Sequence, residues 1–152
     1  MTTIVYDHEA RQIAVDSRCT RGTVILSDEK VKWVYKGADL LFFAGTVADF
    51  EAFIQHYGKA GSKPESEVDV DAFLIRDGVV YECGFCKNTG YWELPLAYNS
   101  ALGSGANFAL AALDFGKTVY GAVEYAKTKD IYTGGKVHVF DIETMQFLDL
   151  QK

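Results

Sequence analysis

The first residues of the chain, Met1-Thr2-Thr3, could supply a nucleophile together with its own base. A hydroxyl attacks poorly near neutral pH unless another group takes its proton. If Met1 is removed, Thr2 carries both a hydroxyl and a free α-amino group, and an α-amino group with a pKa of about 8 can accept that proton. These residue types predict Thr2 as a catalytic nucleophile. The alternative is an ordinary first strand, because Thr is common after an initiator Met.

The segment Cys83-Gly84-Phe85-Cys86 is a second candidate for chemistry, as half of a zinc site or as a redox couple. A structural zinc needs four ligands, and the other possible ligands show no ligand-like pairing: Cys19, His8, His56 and His138. We therefore expect two thiols on a strand and its bulge, with no metal and no cofactor. A zinc shared between subunits is the alternative. The odd number of cysteines fits a reducing compartment better than a disulfide framework.

Composition narrows the class of protein. The chain has 152 residues, of which 49% are hydrophobic and 24% charged, so it fits a single globular domain over 1–152 with a sizeable core. A net charge of −6 gives no basic surface for phosphates, which disfavours a nucleic-acid partner. The start lacks a signal-peptide pattern, and the apolar runs are too short to cross a bilayer. We expect a cytoplasmic protein with no membrane partner.

The apolar pattern predicts an α+β chain in the order strands, helix, strands, helices, strands. Predicted helices span 46–57, 104–115 and 118–128, with Gly58 and Gly116 as stop signals. The predicted strands are 3–8, 13–17, 31–35, 40–44, 72–75, 79–83, 91–94, 99–102, 137–142 and 147–150. Asp77-Gly78 favours a tight hairpin turn between two of these strands.

Five further segments share their order and spacing with a known family. They are Ile13-Ala14-Val15-Asp16-Ser17-Arg18, Glu29-Lys30-Val31, Phe43-Ala44-Gly45-Thr46-Val47-Ala48-Asp49, Gly103-Ser104-Gly105 and Lys129-Asp130-Ile131-Tyr132-Thr133-Gly134-Gly135. Together with Thr2, they make the chain resemble the proteasome β-subunit and its bacterial relative HslV. These are threonine peptidases of the N-terminal-nucleophile hydrolase family. The resemblance implies a four-layer αββα sandwich, in a compact bacterial or phage form.

The resemblance implies a role for each matching residue. Lys30 would be an ammonium that lowers the pKa of the Thr2 hydroxyl and amine, and Asp16 would keep that lysine charged and oriented. The backbone N–H of Gly45 would bind the oxyanion of the tetrahedral intermediate. The alternatives are a surface ion pair worth less than about 1 kcal/mol for Asp16 and Lys30, and a strand-to-helix turn for Gly45.

By the same resemblance, Ser104, Asp130 and Thr133 would orient the Thr2 amine and a proton-shuttling water, with Thr133 where Ser is usual. The alternatives are a helix N-cap for Ser104 and a turn for Asp130 and Thr133. The resemblance places four further residues in the pocket for the side chain before the cut bond, which would favour apolar residues: Cys19, Thr20, Phe43 and Val47, with Lys32 nearby. A place in the core is the alternative for Phe43 and Val47.

The second long helix that such proteins carry after the first is apparently absent, because 58–69 is polar and holds Gly and Pro. The leading hypothesis is a threonine endopeptidase that cleaves polypeptides inside a homo-oligomeric ring, with an ATPase unfoldase as a possible partner. The main alternative is a non-catalytic subunit used for assembly or binding, which retention of Met1 would favour. A small-amide hydrolase of the same superfamily is a third hypothesis.

Overall fold

The computed structural model describes residues 2–148 and 150 of the chain. In chain order the strands are β1 (Thr3–Asp7), β2 (Gln12–Val15), β3 (Cys19–Arg21), β4 (Val24–Ser27), β5 (Trp33–Lys36), β6 (Asp39–Gly45), β7 (Val70–Arg76), β8 (Val79–Cys86), β9 (Gly90–Pro95), β10 (Ser100–Gly103), β11 (His138–Asp141) and β12 (Gln146–Leu148). The α-helices are α1 (Phe50–His56), α2 (Ala106–Asp114) and α3 (Val119–Lys127), and a 3-10 turn (Val47–Asp49) precedes α1. The chain forms two compact units, Met1–Lys32 with Ala97–Lys152, and Trp33–Leu96.

The first unit contains an antiparallel sheet in the order β10-β1-β2-β11-β12. Val5, Ala14 and Val139 form one row across its central strands, because Ala14 is paired with both valines. This row packs against Ala109 of α2 and Ala122 of α3, and these small side chains let the two helices lie close to the sheet. Side chains of the opposite face are also fully buried: Ile4, Tyr6, Ile13 and Phe140.

A two-stranded hairpin, β3 with β4, also belongs to the first unit and was not predicted from the sequence. Its second strand exposes three consecutive apolar residues, Val24, Ile25 and Leu26, at 57%, 50% and 51% of their surface. Successive side chains of a strand point to opposite faces, so this strand is exposed on both faces. The usual apolar–polar alternation is absent for that reason.

The second unit contains an antiparallel sheet in the order β5-β6-β7-β8-β9, with α1 on one face. Phe43 of β6 packs against the rings of Phe50 and Phe53, with ring centres 4.8 and 5.6 Å apart. The opposite face is also fully buried, through Leu40, Phe42, Phe73, Ile75 and Val80. Burial on both faces explains why β6 is a continuous apolar run.

The predicted strands and helices occur near their predicted bounds, with β3 and β4 as additions. Asp77 and Gly78 form the predicted tight turn between β7 and β8, with φ angles of 53° and 75°. Residues 57–69 carry turns and bends but no helix. None of the helices among the described residues is long and apolar enough to span a membrane.

Candidate active site

The start of β1 is held between β2 and β10, and two glycines make room for it. Thr2 and Thr3 are 2% and 0% exposed. Thr3 is paired with Gly103 of β10, and a Cβ on Gly103 would collide with the carbonyl oxygen of Thr2. A Cβ on Gly105 would collide with the hydroxyl of Thr3. Glycine at these positions therefore lets Gly103-Ser104-Gly105 approach Thr2 and Thr3 closely.

Asp16 follows β2 and forms a buried ion pair with Lys32. The Lys32 Nζ donates to Asp16 Oδ1 over 2.7 Å, and the two side chains are 2% and 0% exposed. The pairing of Asp16 with Lys30 expected from the sequence is therefore wrong. Lys30 is half-buried, and its backbone N–H donates to the carbonyl of Ser17 over 2.8 Å. Asp16 thus forms its ion pair with the buried ammonium of Lys32.

Backbone donors complete the surroundings of the Asp16 carboxylate. Oδ1 also accepts from the N–H of Thr3 over 3.2 Å, and Oδ2 accepts from the N–H of Gly134 over 2.9 Å and of Arg18 over 3.4 Å. This carboxylate therefore joins the start of β1, the end of β2 and the loop after α3. A buried carboxylate is tolerated when it is paired and hydrogen-bonded in this way.

Burial lowers the pKa of the Lys32 ammonium below its ordinary value, although the Asp16 carboxylate acts in the opposite direction. A lowered pKa brings the neutral amine of Lys32 closer to neutral pH than that of an exposed lysine. Such a shift is typical of lysines at functional sites, and also occurs in structural ion pairs.

A second hydrogen-bond network is centred on Asp130. Its Oδ2 accepts from Ser104 Oγ over 2.5 Å and from Thr133 Oγ1 over 2.6 Å, and its Oδ1 accepts from the N–H of Tyr132 over 3.1 Å. Thr133 Oγ1 lies 2.6 Å from Thr3 Oγ1. The N-cap alternative for Ser104 is wrong, because Gly105 is the N-cap of α2 and no side chain caps that helix.

The loop that carries Asp130 and Thr133 is fixed from several sides. Arg18 Nη1 donates to the carbonyl of Ile131 over 3.0 Å, and its Nε donates to Asp28 over 2.8 Å. A Cβ on Gly134 would collide with the Arg18 guanidinium. The Lys127 Nζ donates to the carbonyl of Gly135 over 2.9 Å. These contacts hold the loop against the segment that follows β2 and against the end of α3.

The structure brings most of the predicted catalytic residues together in the first unit: Thr2, Asp16, Ser104, Asp130 and Thr133. Sequence reasoning missed Thr3 and assigned Lys32 only to the neighbourhood of a pocket. Of the predicted pocket residues, Cys19 and Thr20 are half-buried on β3. The predicted removal of Met1 concerns a residue outside the described part of the chain.

The predicted residues Gly45, Phe43 and Val47 lie in the second unit. Gly45 ends β6 with a φ of 135°, and a Cβ there would collide with the carbonyl of Asp69, so the backbone requires glycine. Phe43 is 2% exposed in the core beside α1, which is the alternative that the sequence left open. Val47 begins the 3-10 turn and is 38% exposed.

The two cysteines of the Cys-x-x-Cys segment lie on opposite faces of β8, because positions three apart on a strand alternate in direction. Cys83 is buried and Cys86 is exposed, and both are free thiols. Among residues 2–148 and 150, no cluster of His, Cys, Asp or Glu could hold a metal ion.

Neither a family model nor a curated protein sequence matches this chain. Solved structures do match. BPH of Thiobacillus denitrificans in complex with epoxomicin is 14% identical with a TM-score of 0.69, covering 99% of this chain and 100% of that chain. HslV from Trypanosoma brucei is 15% identical with a TM-score of 0.66, covering 92% of this chain and 99% of the other. These matches confirm the expected resemblance at the level of the fold, and the chain therefore has a compact HslV-like fold.

Proposed function

We propose that this chain is a threonine-type peptidase, a hydrolase of peptide bonds that uses Thr2 as its N-terminal nucleophile after removal of Met1. The observation that carries the proposal is the pair of buried networks at the start of β1. The Asp16 carboxylate, bound to Lys32, accepts from the Thr3 N–H, while the Asp130 network reaches the Thr3 hydroxyl through Thr133. An ordinary first strand has no need of two such networks at its first residue, Thr3.

The reaction would proceed in two steps. The Thr2 Oγ attacks the carbonyl carbon of the peptide bond, and its proton passes to the Thr2 α-amine, directly or through a water. The C–N bond then breaks, the leaving amine takes the proton, and an ester remains on Thr2. A water attacks this ester with the same α-amine as base, releasing the carboxylic acid and restoring the Thr2 hydroxyl.

Lys32 takes the electrostatic role in this proposal, in place of Lys30. An ammonium beside a hydroxyl and an α-amine lowers the pKa of both and favours the reactive forms. Asp16 keeps Lys32 charged and fixes its position over 2.7 Å. Because Asp16 also accepts from three backbone N–H groups, its own position is set by the surrounding chain.

Ser104, Asp130 and Thr133 would orient the Thr2 amine and the water that relays its proton. The Gly45 N–H would stabilise the oxyanion, as proposed from the sequence. We further propose that the two sheets, each buried on both faces, are the inner layers of a four-layer αββα sandwich within a single domain over 1–152. This architecture would be the HslV form without its second long helix.

The biological setting follows from the same proposal. The substrate would be a polypeptide cleaved after apolar residues. The active sites would face the inside of a homo-oligomeric ring in the cytoplasm, and an ATPase unfoldase is a candidate partner. The exposed apolar strand β4 fits an assembly, since an uncovered patch of this kind marks an interaction site.

The proposal is tested first by intact mass spectrometry of the purified protein, which should show a chain lacking Met1. The mature protein should cleave an apolar fluorogenic peptide and take up one threonine-directed epoxyketone or boronate at residue 2. Thr2→Ala should abolish both, and Thr2→Ser should keep both because it retains the hydroxyl and the α-amine. Processed protein that neither reacts nor cleaves, with or without an unfoldase, would indicate an assembly or binding role instead.

A further inference from the structure

The Thr3 hydroxyl is a fully buried polar group for which the proposed mechanism has no role. It lies 2.6 Å from the Thr133 hydroxyl, and Thr3 is 0% exposed. A buried hydroxyl must be hydrogen-bonded to be tolerated, and the space for this one exists only because residue 105 is glycine. The chain therefore accommodates a specific polar contact where an apolar side chain would be the simpler choice.

The direction of this hydrogen bond follows from the number of hydrogens available. A threonine hydroxyl has one hydrogen, and Thr133 donates its hydrogen to Asp130 Oδ2 over 2.6 Å. The Thr133 oxygen can then only accept, so Thr3 must be the donor of the contact between the two hydroxyls. The resulting chain runs from Thr3 to Thr133 to Asp130, and Ser104 donates to the same carboxylate oxygen. Successive hydrogen bonds in such a chain strengthen one another.

The backbone of Thr3 belongs to the other network. Its N–H donates to Asp16 Oδ1 over 3.2 Å, and its carbonyl accepts from the Asp16 N–H over 3.2 Å. Thr3 is thus joined to Asp16 by its backbone and to Asp130 by its side chain through Thr133. It is also covalently bonded to Thr2, so its position sets where the hydroxyl and the amine of Thr2 lie.

We propose that Thr3 is a positioning residue that fixes Thr2 relative to the Asp130 network by donating its hydroxyl hydrogen to Thr133. This inference rests on the proposed function for its catalytic consequence. The hydroxyl of Thr3 holds the start of β1 against the 130–134 loop, and a small displacement of a nucleophile lowers the rate steeply. Any side chain with a hydroxyl on its Cβ serves this purpose, and one without it does not.

The matched pair Thr3→Ser and Thr3→Ala tests the inference, because the two variants differ only in the hydroxyl. Turnover of an apolar fluorogenic peptide by Thr3→Ser should stay within about threefold of the parent protein. Thr3→Ala should lose at least about tenfold in kcat, with KM changed by less than about twofold, because the loss is one of orientation rather than of substrate binding. A tenfold loss shared equally by both variants would overturn the inference.

A double variant gives an independent check. If Thr3 acts through Thr133, then Thr3→Ala in a Thr133→Ala background should cost no more than the larger single loss, since residues of one network are not additive. Independent, multiplying losses would overturn the inference. Thermal unfolding is recorded for each protein. If Thr3→Ala does not fold, Thr3→Val replaces it, and full activity of Thr3→Val would count against the inference.

A readout that needs no turnover separates this inference from the proposed function. The titration of the Thr2 α-amine is followed by pH-dependent acylation of full-length protein in which Thr2 has been exposed by cleaving an N-terminal fusion. In Thr3→Ser, the Lys32 ammonium beside the Thr2 α-amine should lower the midpoint of that amine below about 8. In Thr3→Ala, the Thr2 α-amine is less well positioned, and its midpoint should move back toward about 8. Equal midpoints overturn the role of Thr3. If the midpoints differ but no peptidase activity is found, the positioning role of Thr3 stands and the proposed peptidase function is refuted instead.

Discussion

Replacing Lys32 with methionine tests whether Lys32, and not Lys30, is the ammonium of the site. Methionine keeps an unbranched side chain of similar length but carries no charge, so Asp16 loses its partner at 2.7 Å. The matched control is Lys30→Met, two positions earlier in the chain. The Lys30 side chain is half-buried and has no ion pair among the described residues.

The expected cost comes from the carboxylate that stays behind. Removing one partner of a buried ion pair typically costs about 3–5 kcal/mol. Asp16 keeps its N–H donors from Thr3, Gly134 and Arg18 at 3.2, 2.9 and 3.4 Å, so we expect the lower end of that range. For a chain of this size a loss of about 3 kcal/mol lowers the unfolding temperature by about 6–12 °C. Lys30→Met should stay within about 0.5 kcal/mol of the parent protein.

The assay is thermal and urea unfolding of both variants, together with epoxyketone uptake at residue 2. Lys32→Met should be destabilised and should lose uptake, whereas Lys30→Met should keep both near the parent values. A lysine that serves only the fold would give destabilisation with normal uptake at a temperature where the variant is folded. The assignment of Lys32 would be refuted if Lys30→Met were the more damaging substitution.

Three further predictions concern titration and packing. Burial lowers the pKa of Lys32, so between that lowered pKa and about 10.5 the Lys32 side chain binds a proton in the unfolded chain but not in the folded one. The free energy of unfolding, compared with that of Lys32→Met, should therefore rise with pH across this window. Turnover should fall across the same window, because it needs the Lys32 ammonium. Hydrogen bonds from the Thr89 side chain and nearby backbone lower the pKa of the exposed Cys86 to about 7, whereas burial raises that of Cys83 to about 12. Iodoacetamide at about pH 7.5, above the first pKa and far below the second, should therefore modify Cys86 first, because the thiolate is the reactive form. Equal rates of modification, measured by peptide mapping, would contradict this. Gly105→Ala should destabilise the protein by roughly 2 kcal/mol or more because its Cβ meets the Thr3 hydroxyl, whereas Gly121→Ala within α3 should gain about 0.5–1 kcal/mol, as urea unfolding would show.

The main elements were predictable because their signals are local. The helices follow from apolar spacing with a glycine stop, and the turn at Asp77-Gly78 follows from residues that accept positive φ angles. The hairpin β3–β4 was missed because Val24, Ile25 and Leu26 do not alternate with polar residues. A strand exposed on both faces carries no pattern by which periodicity can detect it.

The motifs of the site could be predicted from the sequence, but not which of their residues contact one another. Lys30 and Lys32 lie on either side of Val31, and no local pattern states which ammonium reaches Asp16. The flanking residues held a weak signal, since Lys32 stands between Val31 and Trp33 while Lys30 follows an acid. The contact of Thr3 with Thr133 joins residues 130 positions apart, and only tertiary structure reveals it.

That same separation has a consequence for the order in which the protein is made. A ribosome releases the start of the chain first, and the loop that carries Thr133 is added 130 residues after Thr3. A nascent chain therefore exposes Thr2 long before Asp130, Thr133 and Gly134 exist to orient it. Under the proposed function, peptidase activity cannot appear on a growing chain before the 130–134 loop has been made, so the neighbouring nascent proteins of a polysome are not cleaved by it until then.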